Sequence, residues 1–300
     1  MPHVLTLVAA GILTTELATA VTAELRRRGA RCAEPDWLAP RSACDLPFDH
    51  PEPAAVAAAS RQVVAAEPVD LAVQPAAGRR KRLLVADLES TVIKNEMLDE
   101  LAEIAGVGPR VAAITARAMN GEIGFTTAVR ERLALLAGLP QTALARAAER
   151  IELDPGARAL AATMRHHGAF SALVSGGFGC FAERVRAAVG FDAQRSNELE
   201  IADGRLSGNL TGPILCRDAK RDLLHGFCHA LGIDPRDALA VGDGANDLPM
   251  LEAAGLGVAF HGKPSVARKA PCRVDHGDLT ALLYFQGYRE EEISTDCRPG

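Results

Sequence analysis

The chain has 300 residues, 48% hydrophobic and 24% charged, with a formal net charge of −5. That length holds one large or two ordinary domains with full cores, and the acidic balance argues against a nucleic-acid footprint. No apolar run approaches the roughly 18 residues needed to cross a bilayer, and the seven cysteines contain no CxxC pair, which favours free thiols in a reducing cytoplasm over a disulfide framework or a zinc site.

The N-terminal MPHVLTLVAAGIL is apolar but has no basic residue ahead of it, and Glu16 soon follows, so it reads as a first strand over residues 2–9 and not as a signal peptide. Thr14 and Thr15 are capping candidates for a helix to about Arg28, with Leu17, Val21 and Leu25 four apart and a basic end at Arg26–Arg28; Gly29 stops it. Cys32–Leu38 predicts a second strand. Pro40, Pro47, Pro51 and Pro53 then break the chain, an Ala-rich helix follows to about Ala66, and Val69–Val73 predicts a short strand. Residues 1–78 thus form a small α+β unit with no catalytic clustering of His, Asp, Glu and Cys, a packing or regulatory module. Pro75–Gly78 reads as a linker and Arg79–Arg82 as a solvated charge cluster, with phosphate binding as the alternative.

In Leu83–Glu96, LLVADLESTVIKNE, a short apolar run leads into Asp87 and Glu89, as in a buried parallel strand with polar residues at its carboxyl end. Ligands of open α/β sheets bind at that edge. Two carboxylates one residue apart there can share nucleophilic or metal-holding work and proton transfer, while a plain helix-capping cluster is the structural alternative. Met97–Ala105, Pro109–Met119, Thr126–Ala137 and Gln141–Arg150 predict helices, and helices inserted after a first strand make a lid over the strand ends.

The sheet resumes at Ala169–Val174 and meets Ser175-Gly176-Gly177 before a helix over about Cys180–Val189. That junction suits an anion, although an ordinary turn has the same composition. Asp203-Gly204 between Glu198–Ile201 and Arg205–Asn209 signals a hairpin. Lys220 opens a helix to about Leu231. The apolar Ala238–Val241 ends in GDGAND, Gly242–Asp247, where Asp243, Asn246 and Asp247 crowd a strand end in a density that suits Mg²⁺, or a simple turn. Gly255–Ala259 and Arg273–Val274 predict further strands, and the charged tail Arg289–Gly300 is expected to fray. Taken together, these junctions supply a nucleophile, a proton carrier, anion donors, a cation and a metal site, the set that phosphoryl transfer needs.

DLEST at Asp87–Thr91, VSGG at Val174–Gly177, Lys220 and GDGAND resemble the motifs of the haloacid dehalogenase superfamily. NEMLDELAEIAG, RAMNGEIGFTTAVRERL, SGGFGCFAERV, NELEIADGRLSGN and GDGANDLPMLEAAGLGVAFHGKP are similar to the phosphoserine phosphatase family within it, over roughly residues 82–285. The N-terminal unit resembles, more weakly, small ACT-like amino-acid-binding domains. The resemblance implies an α/β fold. A doubly wound parallel-sheet core over 79–300 would carry a helical cap at about 95–153, with the small α+β domain over 1–78 beside it. It implies hydrolysis of O-phospho-L-serine, the last step of serine biosynthesis, through an aspartyl-phosphate with Mg²⁺ as cofactor. The partner is then a small molecule, with no nucleic acid and no membrane, and a homodimer is left open.

Carried to this sequence, the resemblance makes Asp87 the nucleophile. Asp87, the Glu89 carbonyl, Asp243 and Asp247 would hold the metal, and Ser175, Gly176, Lys220 and Asn246 the phosphoryl group. Glu96 would take the substrate ammonium and Arg132 its carboxylate, with Met119 and Phe125 as walls; one acid and one guanidinium read a zwitterion. The chain departs from the family at Glu89, where Asp is usual. The extra methylene would have to be accommodated for acid–base chemistry to survive. Two other readings are a phosphatase for another small phosphomonoester, against which Glu96 and Arg132 argue, and a non-catalytic amino-acid or phospho-amino-acid sensor crippled at Glu89.

Overall fold

The computed structural model describes residues 1–294, the side chain of Met119 excepted. The first sheet comprises β1 (His3–Ala9), β2 (Arg31–Cys32), β3 (Asp36–Ala39), β4 (Ala43–Asp49) and β5 (Val69–Pro75), with α1 (Thr15–Arg27) and α2 (Pro53–Val63) between strands. Its order is β2-β4-β1-β5, with β3 also on β4, and its pairs are antiparallel. Thr14 caps α1 by accepting from Leu17 N at 3.2 Å, as the sequence predicts. Two expectations fail here. Cys32–Leu38 is two short strands, and Pro47 lies inside β4 instead of breaking the chain. The Pro47 carbonyl accepts from Ala33 N in the gap between β2 and β3, so the missing proline N–H faces the side where the partner strand changes and costs no ladder bond.

Alternation along β1 splits the unit's two faces. Leu5 and Leu7 pack with Val21, Leu25, Phe48 and Val56 under the helices, whereas Val8, Leu38, Ala39, Ala43 and Ala72 join the apolar core of the rest of the chain. Arg79–Arg82, expected to be solvated, belongs largely to this junction. Arg79 pairs with Asp45, itself bonded by Thr6 Oγ1 at 2.6 Å. Arg80 pairs with Glu292 at 2.7 Å and lies over the Tyr288 ring, and Lys81 Nζ donates to Gly78 O and Arg236 O. The expected fraying of the tail is likewise corrected over 289–294. Arg289 pairs with Asp36 at 2.7 Å, and Ser294 N donates to Thr163 Oγ1; residues 295–300 lie outside the described residues.

The second sheet begins with β6 (Leu83–Ala86). The lid helices α3 (Met97–Ile104), α4 (Gly108–Met119), α5 (Phe125–Ala134) and α6 (Thr142–Ala148) follow, then α7 (Ala157–His166), β7 (Phe170–Phe178), α8 (Gly179–Val189), β8 (Ala193–Ala202) and β9 (Arg205–Thr211). Next come α9 (Arg217–Leu231), β10 (Ala238–Gly242), α10 (Leu248–Ala253), β11 (Leu256–Phe260), α11 (Pro264–Ala267), β12 (Cys272–Val274) and α12 (Ala281–Phe285). The strand order is β12-β11-β10-β6-β7-β8-β9, parallel except for β9. Every residue of β6, β10 and β11 is buried because helices cover both faces, which is why these strands read as unbroken apolar runs. From β6 the chain winds one way to β8 and the other way to β12, so the switch in direction falls at the carboxyl ends of β6 and its neighbours.

The lid is anchored twice. Its entry and exit form a short ribbon, Ile93 bridging Leu153, with Lys94 N to Glu152 O and Asp154 N to Val92 O each 2.9 Å. The β8–β9 hairpin turns at Asp203 and Gly204, both with positive φ as a type I′ turn requires, and props the lid's far side through Gly138 N to Leu206 O and Gln141 N to Gly204 O. Among the described residues no helix is long and apolar enough to cross a membrane.

Candidate active site

A cleft between lid and sheet is lined by Asp87, Glu89, Ser175, Gly176, Asp243 and Asn246 from the strand ends and by Glu96, Phe125 and Arg132 from the lid. Below it, Lys220 is buried on the first turn of α9, with Nζ 2.7 Å from Asp87 Oδ1 and 2.6 Å from Asp247 Oδ1. Residues from β6, α9 and the β10–α10 turn therefore meet at the switch point. Met119 ends α4, and its side chain is outside the described residues.

The floor's electrostatics are those of too many acids for one base. Oxygens of Asp87, Asp243 and Asp247 approach to within 4.8 Å of one another. Burial first, then the Asp247 charge, pushes Asp87 well above the ordinary carboxylate range despite Lys220. Burial also raises Asp243 to about 6, opposed by Lys263. Lys220 would be lowered by burial alone, yet Asp247 and Asp87 hold it above its ordinary value. Each Asp247 oxygen has one partner, Oδ1 accepting from Lys220 and Oδ2 from Gly244 N at 2.9 Å. Asp87 Oδ1 accepts from Leu88 N at 2.8 Å as well as from Lys220, which leaves Oδ2 without a hydrogen-bond partner among the described residues. A crowded all-oxygen donor set, repelled by its own charge, fits a hard divalent cation.

Glu89 shows how the longer acid is fitted. Its Oε1 accepts from Met97 N, at the start of α3, at 2.9 Å. Its other oxygen lies where a side chain at residue 177 would stand: a Cβ on Gly177 would come within 2.8 Å of Oε2. The extra methylene is thus taken up between the lid's first amide and a glycine. Burial, reinforced by the Glu96 charge, raises Glu89 to about 7, in the range where a carboxyl both gives and takes a proton near neutrality.

Strand β7, expected to stop at Val174, runs on through Ser175-Gly176-Gly177 with a shift of register between Val174 and Phe178. At this bulge Asn197 Nδ2 donates to Gly176 O and Asn197 Oδ1 accepts from Leu215 N, both at 2.7 Å. Ser175 Oγ accepts from Gly177 N at 2.9 Å, so its own hydrogen is free to donate into the cleft. In the loop between β6 and the lid, Ser90, with φ of 54°, donates to Glu96 Oε1 at 2.9 Å. Arg132 Nε donates to Ala128 O at 3.3 Å, and no carboxylate pairs with its guanidinium among the described residues. Sequence reasoning missed Leu98, Val129, Phe178 and Lys263 as lining residues. Lys263 Nζ is 3.4 Å from Asp243 Oδ2; the only signal for it was a basic residue just past the apolar run that forms β11.

The family model for haloacid dehalogenase-like hydrolases matches residues 84–252, the span from β6 to α10 that builds this floor. This chain belongs to the haloacid dehalogenase-like hydrolases. It is 43% identical over 242 residues to phosphoserine phosphatase SerB2 of Mycobacterium tuberculosis, covering 79% of this chain and 59% of that protein. It is 39% identical over 285 residues to a phosphoserine phosphatase of Streptomyces coelicolor, covering 94% and 70%. The chain thus spans less than two thirds of the Mycobacterium protein's length. Among solved structures, a probable phosphoserine phosphatase of Vibrio cholerae superposes with a TM-score of 0.79 at 28% identity, over 98% of this chain and 90% of that one. As a haloacid dehalogenase-like hydrolase, the chain has the doubly wound core and inserted lid that its motifs imply.

Proposed function

We propose that this chain is a Mg²⁺-dependent phosphoserine phosphatase. The observation that carries the reading is one cleft with a buried triple-carboxylate floor on Lys220 below and both a guanidinium, Arg132, and a carboxylate, Glu96, lining it on the lid side. The two ends match the two ends of phosphoserine, and its relatives bear that name. Residues 79–300 would be the catalytic body, the helices of 95–153 its lid, and residues 1–78 an accessory unit. The free thiols suit a cytoplasmic setting.

Asp87 Oδ2 attacks phosphorus, and the bond from phosphorus to the serine oxygen breaks. Glu89 gives its proton to that oxygen. Glu89 then takes a proton from water, whose oxygen attacks the aspartyl-phosphate, releasing phosphate and restoring Asp87. Ser175 Oγ–H, the Gly176 amide and Asn246 hold the phosphoryl oxygens, and Lys220 offsets the charge on Asp87. Mg²⁺, held by Asp87, Asp243 and the Glu89 carbonyl with Asp247 in support, would neutralise phosphoryl charge. Glu96 and Arg132 orient the substrate's ammonium and carboxylate, and the closed lid keeps bulk water from the acyl phosphate.

The test is phosphate release from O-phospho-L-serine and from a small panel of other phosphomonoesters, with Mg²⁺ and after EDTA. The expected outcome is Mg²⁺-dependent turnover that favours phosphoserine. Tight phosphoserine binding without turnover would replace the enzyme with a sensor.

A further inference from the structure

A buried carboxylate of the first sheet is bonded to the segment that follows β12 of the second. Asp70 on β5 is 4% exposed, and its partners come from the far end of the chain. Its Oδ1 accepts from Asp275 N at 2.7 Å and its Oδ2 from Gly277 N at 2.7 Å, with His276 N at 3.2 Å between them. Three consecutive amides on one carboxylate fix the 275–277 backbone. The other face of that backbone meets the catalytic edge. Gly277 O accepts from the ring Nε2 of His261 at 2.8 Å, and His261 N donates to Val274 O at 2.8 Å. His261 has φ of 43°, a conformation that a non-glycine residue keeps only when its surroundings hold it there. Two residues on, Lys263 N donates to Asp243 O at 3.3 Å, and Lys263 Nζ lies 3.4 Å from Asp243 Oδ2.

We propose that Asp70, in the N-terminal unit, is a positioning residue for the metal-binding edge, acting through the 275–277 backbone and His261 to set the loop that carries Lys263 against Asp243. The inference rests on the reading of Asp243 as a Mg²⁺ ligand. The link runs through hydrogen bonds from Asp70 to His261 and then along the backbone from His261 to Lys263, which bonds Asp243. Releasing Asp70 frees the 275–277 peptides, His261 loses the partner that keeps φ positive, and the Asp243 backbone loses a fixed neighbour. Asp45 is the natural control. It is a buried carboxylate on the same sheet that holds the same junction through Thr6 and Arg79, but it lies off this chain.

The experiment measures Mg²⁺ dissociation constants by calorimetry on the full chain, alongside melting midpoints and kinetics with phosphoserine. If wild type binds no Mg²⁺, the reading of the metal site fails first, and this inference with it. If wild type binds, Asp70→Asn and His261→Ala should each raise the Mg²⁺ constant about fivefold or more, an effect of the size that residues coupled to a site but not touching it produce. The phosphoserine KM at saturating Mg²⁺ should move much less. Asp45→Asn should lower the melting midpoint and leave the Mg²⁺ constant unchanged. The double variant Asp70→Asn with His261→Ala should bind no more weakly than the weaker single variant, since both cut one chain. An unchanged Mg²⁺ constant in Asp70→Asn, an equal rise in Asp45→Asn, or multiplying effects in the double variant would overturn the proposal. If Asp70→Asn does not fold, His261→Ala decides alone, and an unchanged constant there overturns it equally.

Discussion

Shortening Glu89 to Asp restores the residue usual in the family, and on this structure it should harm the enzyme. The Glu89 carboxyl reaches Met97 N at 2.9 Å and packs over Gly177. Removing a methylene draws the carboxyl back by about 1.5 Å, one carbon–carbon bond. That takes the Met97 contact past the roughly 3.2 Å limit of an N–H···O bond and leaves a buried amide without its charged acceptor, at about 1.5–3 kcal/mol. It also moves the proton donor away from the leaving oxygen, and misplacement by about 1 Å can cost ~10²-fold in rate. The assay is Mg²⁺-dependent phosphate release from phosphoserine, separated into kcat and KM. The expected outcome is a fall of about 10²-fold in kcat with little change in KM, because the proposed function gives substrate binding to Glu96, Arg132 and Ser175. Glu89→Gln should lose at least as much. It should also lose the pH response of kcat/KM. With its carboxyl raised to about 7, Glu89 carries its proton below that pH and lacks it above, so leaving-group protonation slows as pH climbs. A Glu89→Asp enzyme faster than wild type would refute the argument and mark Glu89 as a crippling substitution.

Asp87→Asn should abolish turnover and the trapping of phosphate on the protein; substantial turnover, with deamidation excluded by mass spectrometry, would remove Asp87 as nucleophile. Arg132→Ala should raise KM for phosphoserine roughly ten- to a hundred-fold while sparing phosphoethanolamine, which has no carboxylate. Equal losses on both substrates would make Arg132 structural. Lys220→Met keeps most of the stem but strands Asp87 and Asp247 without their cation, so stability should fall by about 3–5 kcal/mol, with Mg²⁺ recovering part of it. A melting midpoint equal to wild type's would show that the floor does not depend on Lys220.

The sequence alone determined those features that depend on neighbours along the chain. A run such as LLVA or ALAV must be buried on both faces, so Asp87 and Asp243 fall at strand ends, the 97–150 region folds as helices over them, and Asp203-Gly204 turns a hairpin. Local chemistry is enough for that, because burial, capping and turn geometry act within a few residues. The tertiary structure decided what depends on residues far apart. Arg79, Arg80 and Lys81 look like surface charge until Asp45, Glu292 and the Arg236 carbonyl meet them. Pro47 breaks nothing because the partner of β4 changes beside it. Arg289 is fixed by Asp36, more than two hundred residues earlier. The same holds in the site. Glu89 reads as a defect until Met97 N and Gly177 give its longer arm a place, and Lys263 enters the cleft only because β11 lies beside β10. No pattern of period 2 or 3.6 encodes such meetings; they exist only after the sheets have closed on one another.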